Sequence, residues 1–170
     1  IMLCATCGSP TKYLQQPLAT LELNSVGLSR WLELAKSLKS EAVLYLSSGE
    51  VYGSLADNTC PIKENAAGSF DQTSLRAVYG EGKRFGETLA LAYLRNFELP
   101  VKIVRPFQVF GPGLRKNDGR ACADFLYKAA LGEPIVLTSA GSALRTFMYL
   151  PDATEAFYRV LLDGKAGCIY

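Results

Sequence analysis

Tyr79 and Lys83 stand four residues apart in Tyr79-Gly-Glu-Gly-Lys83, within a stretch that reads as helix. One helical turn puts two such side chains on one face. A phenol beside an ammonium can serve a single reacting hydroxyl, the phenol exchanging its proton while the cation favours the phenolate. Upstream, Leu44-Tyr-Leu-Ser-Ser-Gly-Glu-Val-Tyr-Gly53 runs from a short apolar strand into the hydroxyls of Ser47 and Ser48, the carboxylate of Glu50 and a turn glycine. Strand ends are where open α/β sheets place their chemistry. The chain has no histidine, so Ser-His-Asp and Cys-His catalysis are excluded and acid–base work falls to Tyr, Glu, Asp and Lys.

The elements that must hold these groups follow from apolar periodicity. Leu21, Leu28, Leu32 and Ala35 recur at helical spacing between Pro17 and Leu38, and Val43–Leu46 is a short apolar strand, which together make one helix-to-strand step of a parallel sheet. Residues 54 to 73 read as a loop and Ser74 to Asn96 as a helix, with Phe85, Leu89 and Ala92 as its core face and Tyr79 and Lys83 on another. Pro100 to Pro106 supplies the next buried strand, closed by the turn Gly111-Pro112-Gly113. Beyond it lie a helix near Asp118 to Leu131, strands at Ile135 to Thr138 and near Arg145 to Leu150, and a helix near Asp152 to Leu162. Residues 114–170 therefore read as part of a second, smaller lobe after a first domain over 1–113.

Composition narrows the classes. With 170 residues, 49% hydrophobic and 20% charged, the chain can bury one core, and a net charge of +2 spread without runs gives no reason to expect nucleic acid or an anionic membrane. No apolar stretch approaches the ~20 residues that span a bilayer, which makes a cytoplasmic location the default expectation. Five irregularly spaced cysteines fit reduced thiols. Cys4 and Cys7 form a C-x2-C, but without a second pair or a histidine no metal site is expected.

Ser47-Ser48-Gly49-Glu50-Val51-Tyr52-Gly53, Tyr79…Lys83 and Arg105-Pro-Phe-Gln-Val-Phe-Gly-Pro-Gly113, in that order and spacing, resemble the extended short-chain dehydrogenase/reductases, within them the NAD-dependent nucleotide-sugar epimerase/dehydratase family. The resemblance runs along the whole chain. It implies an α/β fold, a partial Rossmann-like doubly wound parallel sheet with part of a smaller α/β substrate-binding lobe, and NAD as cofactor. It also implies a nucleotide-diphosphate sugar as substrate and a homodimer built on the Tyr79 helix. Tyr79 is then the base that takes the sugar C4 hydroxyl proton, Lys83 the cation that favours the phenolate and bonds the cofactor ribose, and Ser48 the group that orients the substrate oxygen. Cofactor contacts fall on Leu3, Cys4, Ala5, Asn24, Ser47, Tyr79, Lys83 and Pro106, and substrate contacts on Ser48, Gln108 and Arg145, the last on the diphosphate. Strand alternation puts Glu50 on the same side as Ser48, as a second acid or base acting on C5 once C4 is a ketone.

Gly49 occupies the position where 4,6-dehydratases of this family carry an acid, which speaks against that branch and leaves decarboxylation of UDP-glucuronate and epimerisation open. Ile1-Met-Leu-Cys-Ala5 starts like a strand entered midway, and no G-x-x-G-x-x-G or G-x-G-x-x-G is present. The chain thus reads as an internal segment of a larger enzyme, its glycine-rich phosphate turn lying outside it. Two other readings stand beside this one: a noncatalytic fragment or binding module, and a simple NAD(P)-dependent alcohol or ketone reductase.

Overall fold

The computed structural model describes residues 1–55, 61–116, 118–137, 140–141 and 144–170. Its main sheet is parallel, in the order β1 (Met2–Leu3), β2 (Val43–Leu46), β3 (Val101–Val104), with Leu3 opposite Tyr45 and Val43 opposite Val101. Residues 167–170 continue the sheet beside β3, Tyr170 N donating to the Ile103 carbonyl at 3.0 Å. Side chains alternate across a strand. One face carries Val43, Tyr45, Val101 and Ile103 into a core shared with Leu28, Leu32, Ala35, Ala90 and Tyr93.

That face is covered by the helical crossovers. The chain passes from β1 through α1 (Pro10–Gln15) and α2 (Pro17–Glu22), then a wide π turn over Leu23–Gly27, into α3 (Leu28–Ser37). It returns from β2 through α4 (Ala77–Phe97). Ser25 Oγ donates back to the Leu21 carbonyl at 2.7 Å within the π turn, and an inserted side-chain bond of this kind loosens the regular ladder.

The expected core face of α4 is corrected at Phe85, while Leu89 is partly buried and packs against the core. The buried side chains of α4 are Ala77, Tyr79, Lys83, Glu87, Ala90 and Tyr93, whereas Phe85 is 52% exposed. The cause is a set of glycines on the inner face. A Cβ at Gly86 would overlap the Tyr45 hydroxyl and lie 2.8 Å from its Cζ, so the helix comes down onto β2 only because that side chain is missing.

A second sheet pairs β4 (Gln108–Phe110) in parallel with β5 (Phe147–Tyr149), joining the two regions of the chain. α5 (Ala121–Leu131) lies between these strands in sequence, and α6 (Leu150–Asp163) packs on β2 and β3 from the face opposite α4. Lys102, buried in β3, donates to the Leu161 carbonyl of α6 at 2.6 Å, the charge complement a helix C-terminus favours. The strand expected from Ile135 is absent over 135–137, and Thr138 lies outside the described residues. Cys60 also lies outside them; Cys4, Cys7, Cys122 and Cys168 are free thiols.

Candidate active site

β2 ends at Leu46, and the next residues turn rather than extend. Ser48 is in extended backbone and caps a 3-10 turn over Gly49–Tyr52, its Oγ accepting from Glu50 N at 3.2 Å. The alternation expected for Glu50 therefore does not apply, because the strand has already ended. Glu50 is exposed, yet its charge still bears on the phenols of Tyr79 and Tyr13.

Tyr79 enters this strand end from the first turns of α4 and is 7% exposed. Its ring stacks on Tyr13 with centroids 5.3 Å apart and planes 10° from parallel. Gly8 lies against the phenol oxygen, where a Cβ would sit 3.5 Å away. Burial pushes the Tyr79 phenol above its ordinary pKa, the neighbouring Ser48 and Thr6 hydroxyls work in the opposite direction, and Glu50 adds to the rise. Thr6 Oγ1 is buried beside this phenol.

Lys83 is 1% exposed. Its Nζ donates to the Leu46 carbonyl at 2.7 Å and lies 4.7 Å from the centre of the Tyr45 ring. Burial pulls its pKa down to about 8, while Glu87 and Cys4 pull it back up. The ammonium is turned to the strand-end carbonyl and lies under Tyr45 rather than under the Tyr79 phenol.

Asn24 sits at the π turn, 2% exposed, donating Nδ2 to the Thr20 carbonyl at 2.8 Å and facing Gly82 of α4. π turns inside helices are frequent at functional sites. A cleft of about 280 Å³ along the open edge of β1 is lined by Leu3, Cys4, Ala5, Asn24 and Tyr45, among others. Four of the expected cofactor residues thus share one cavity wall with the ring that carries the Lys83 ammonium. Apolar backbone edges, an amide and a nearby ammonium make a lining that suits a nicotinamide ribose. Cys4 is exposed at the cleft, and partial burial raises its thiol pKa while Lys83 opposes the rise.

Other expected residues are placed differently. The Ser47 hydroxyl turns inward and donates to Glu87 Oε1 at 2.5 Å. The Pro106 carbonyl accepts from Gly49 N at 2.9 Å, which ties the β3 exit to the turn after Ser48. Gln108 stands on β4, and Arg145 is exposed two residues before β5, donating to the Leu144 carbonyl at 2.7 Å. The structure thus brings Ser48 and Tyr79 together, with Lys83 and Asn24 beside them, and leaves Gln108 and Arg145 on the second sheet.

Sequence reasoning missed Tyr13, Thr6, Glu87 and Arg105. Glu87 carries a usable signal, lying four residues past Lys83 on the helix stripe that begins at Tyr79; Tyr13 carries none, since only the tertiary fold lays α1 across the phenol.

The family model described as NAD dependent epimerase/dehydratase matches residues 1–170. UDP-glucuronic acid decarboxylase 1 of Xenopus tropicalis is 35% identical over 157 residues, covering 92% of this chain and 37% of that protein. UDP-glucuronic acid decarboxylase 6 of Arabidopsis thaliana is 32% identical over 162 residues, covering 95% and 46%. The chain therefore spans less than half the length of these relatives. Among solved structures, RMD from Pseudomonas aeruginosa complexed with NADPH superposes with a TM-score of 0.83 at 26% identity, covering 99% of this chain and 57% of the other.

Proposed function

Because the chain belongs to the NAD dependent epimerase/dehydratase family, we propose that it carries the acid–base centre of a nucleotide-sugar enzyme that oxidises the sugar C4 hydroxyl. The observation that carries this reading is the convergence of Ser48, Tyr79 and the Lys83-bearing face of α4 on one strand end, beside the cleft lined by Leu3, Cys4, Ala5 and Asn24. NAD, when bound, supplies the hydride acceptor. Leu3, Cys4, Ala5 and Asn24 would hold it, with Lys83, behind the Tyr45 ring, and Pro106, at the β3 exit, as the further cofactor residues that the family resemblance implies.

Tyr79 removes the C4 hydroxyl proton and Ser48 orients that oxygen. The phenolate is the form that accepts this proton; burial works against it and the Ser48 and Thr6 hydroxyls work for it, and the phenol so formed can return the proton to the C4 oxygen. Glu50, exposed at the turn, is free to face substrate. Of the outcomes left open by the residues, decarboxylation of UDP-glucuronate is favoured. The 4-keto sugar is then a β-keto acid, the C5 to carboxylate bond breaks with loss of CO2, and the electron pair is taken up towards the C4 oxygen. Both decarboxylase relatives support this choice. Gln108, on β4, and Arg145, two residues before β5, belong to the nucleotide end of the substrate in this reading.

The test is mass spectrometry of the enzyme, expressed in its full natural reading frame, with NAD and a panel of nucleotide sugars that includes UDP-glucuronate. Loss of CO2 is expected, with Tyr79→Phe slower by at least about 100-fold. Loss of water or an isobaric product would move the assignment to a dehydratase or an epimerase. One observation favours a binding-module reading: the Tyr79 phenol is buried and stacked like a structural tyrosine. Absence of turnover, with Tyr79→Phe binding NAD as the parent does, would establish that reading.

A further inference from the structure

Glu87 has no part in the chemistry above, yet it is tied to the elements that carry it. It lies one turn beyond Lys83 on the buried face of α4 and is 6% exposed. Ser47 donates to its Oε1 at 2.5 Å, and Arg105 donates Nε to Oε1 at 2.8 Å and Nη2 to Oε2 at 2.7 Å. Arg105, at the exit of β3, is itself anchored. Its Nη1 donates to the Glu64 carbonyl at 2.7 Å, and its guanidinium lies 4.8 Å from the centre of the Tyr52 ring in the 3-10 turn.

The strand end before Ser48 is therefore held to α4 at two successive residues, the Leu46 carbonyl by Lys83 and the Ser47 hydroxyl by Glu87. Two points of attachment on one helix stripe leave the next residue, Ser48, little freedom relative to Tyr79 on the same stripe. Buried ion pairs are often neutral for stability when replaced by apolar groups, so stability alone does not explain a carboxylate here, whereas misplacing a reacting group by about 1 Å can cost about 100-fold in rate.

We propose that Glu87 is a positioning residue: its carboxylate locks the Ser47–Ser48 strand end onto the Tyr79 helix and supplies a buried negative charge one turn from the Lys83 ammonium. The role rests on the reading of Ser48, Tyr79 and Lys83 given above. The groups that face Lys83 are Glu87 from its own helix, Tyr45 from β2 and Cys4 at the end of β1, with Arg105 beyond Glu87. Among these only Glu87 and Cys4 raise the Lys83 pKa against its burial, Glu87 more. Removing the Glu87 charge also leaves Arg105 uncompensated nearby, which disfavours a second cation.

The test compares Glu87→Gln and Ser47→Ala with the parent enzyme, Tyr79→Phe serving as the inactive control. Lys83 is titrated by NMR with 13Cε-labelled lysine, its signal assigned by Lys83→Arg, and kcat and KM are measured against pH. Glu87→Gln is expected to lower the Lys83 midpoint by about one pH unit and kcat by roughly 10- to 100-fold with KM within about threefold. Ser47→Ala is expected to lower kcat roughly 3- to 10-fold and leave the midpoint in place. A folded Glu87→Gln with parental kcat and an unmoved midpoint overturns the clamp, as does a loss of kcat that only follows the folded fraction. Should Glu87→Gln not fold, parental kcat in Ser47→Ala overturns it instead. Absence of turnover in the parent overturns the reaction, and with it the positioning role, and is thereby distinguished from failure of the clamp alone.

Discussion

Lys83 shows how one burial serves two ends. An ammonium taken out of water resists its charge, and the pKa of about 8 measures that resistance against the ordinary 10.5. Below pH 8 folded and unfolded chains both carry the proton, and the folded state bears the full penalty. Between 8 and 10.5 the unfolded chain binds a proton that the folded chain has released, so stability rises with pH across that window. Compared with Lys83→Met, which cancels other titrations, the parent should gain about 2 kcal/mol between pH 7.5 and 9.5 in urea unfolding. A flat difference would show that Lys83 is solvated in solution. Activity runs the other way: if the ammonium form is required, kcat/KM of the free enzyme declines above about pH 8. The same residue scale shows what the sequence can carry. Tyr79 and Lys83 are legible as a pair from their spacing and Ser48 from its place at a strand end, with the family resemblance joining the three, whereas the inward turn of Ser47 depends on Glu87 and Arg105 arriving from two other elements.

At the scale of elements, α4 is held close by what it lacks. Alanine is the better helix former by about 1 kcal/mol, but at Gly86 its Cβ would overlap the hydroxyl of Tyr45, a ring that is 3% exposed and fixed under Lys83. Overpacking of this kind costs about 1–3 kcal/mol. Gly86→Ala should therefore lower stability by up to about 2 kcal/mol and weaken NAD binding, read by chemical denaturation and by calorimetric titration with NAD. A more stable variant would contradict the close approach. Short apolar runs such as Val43–Leu46 and Val101–Val104 are readable because strands buried on both faces need little else. The π turn at Leu23–Gly27 and the 3-10 turn at Gly49–Tyr52 are not, since side-chain bonds and packing partners distant in sequence decide them.

At the scale of the whole molecule, the misread face of α4 acquires a meaning. Phe85, Leu89 and Ala92 have helical periodicity and read as core; Leu89 does pack against it, but the glycines turn the stripe of Tyr79, Lys83 and Glu87 inward and leave Phe85 52% exposed. Val26 in the preceding π turn is 54% exposed, and Leu34 on α3 is 42% exposed. Large apolar side chains left exposed on a helix surface are a common mark of association, and the family resemblance implies a homodimer through this helix. In the homodimer that the resemblance implies, two copies would pair across the outer face of α4. Light scattering after size exclusion should then give a dimer, and Phe85→Glu, which places a charge in the apolar stripe, should weaken association by roughly 30-fold or more, about 2 kcal/mol. Tyr79, Lys83 and Glu87 lie on the other side of the helix, so the substituted protein should retain NAD binding; a parent that is monomeric at micromolar concentration, or a dimer indifferent to Phe85→Glu, would place the interface elsewhere and return Phe85 to the ordinary exposed apolar surface that folded proteins carry.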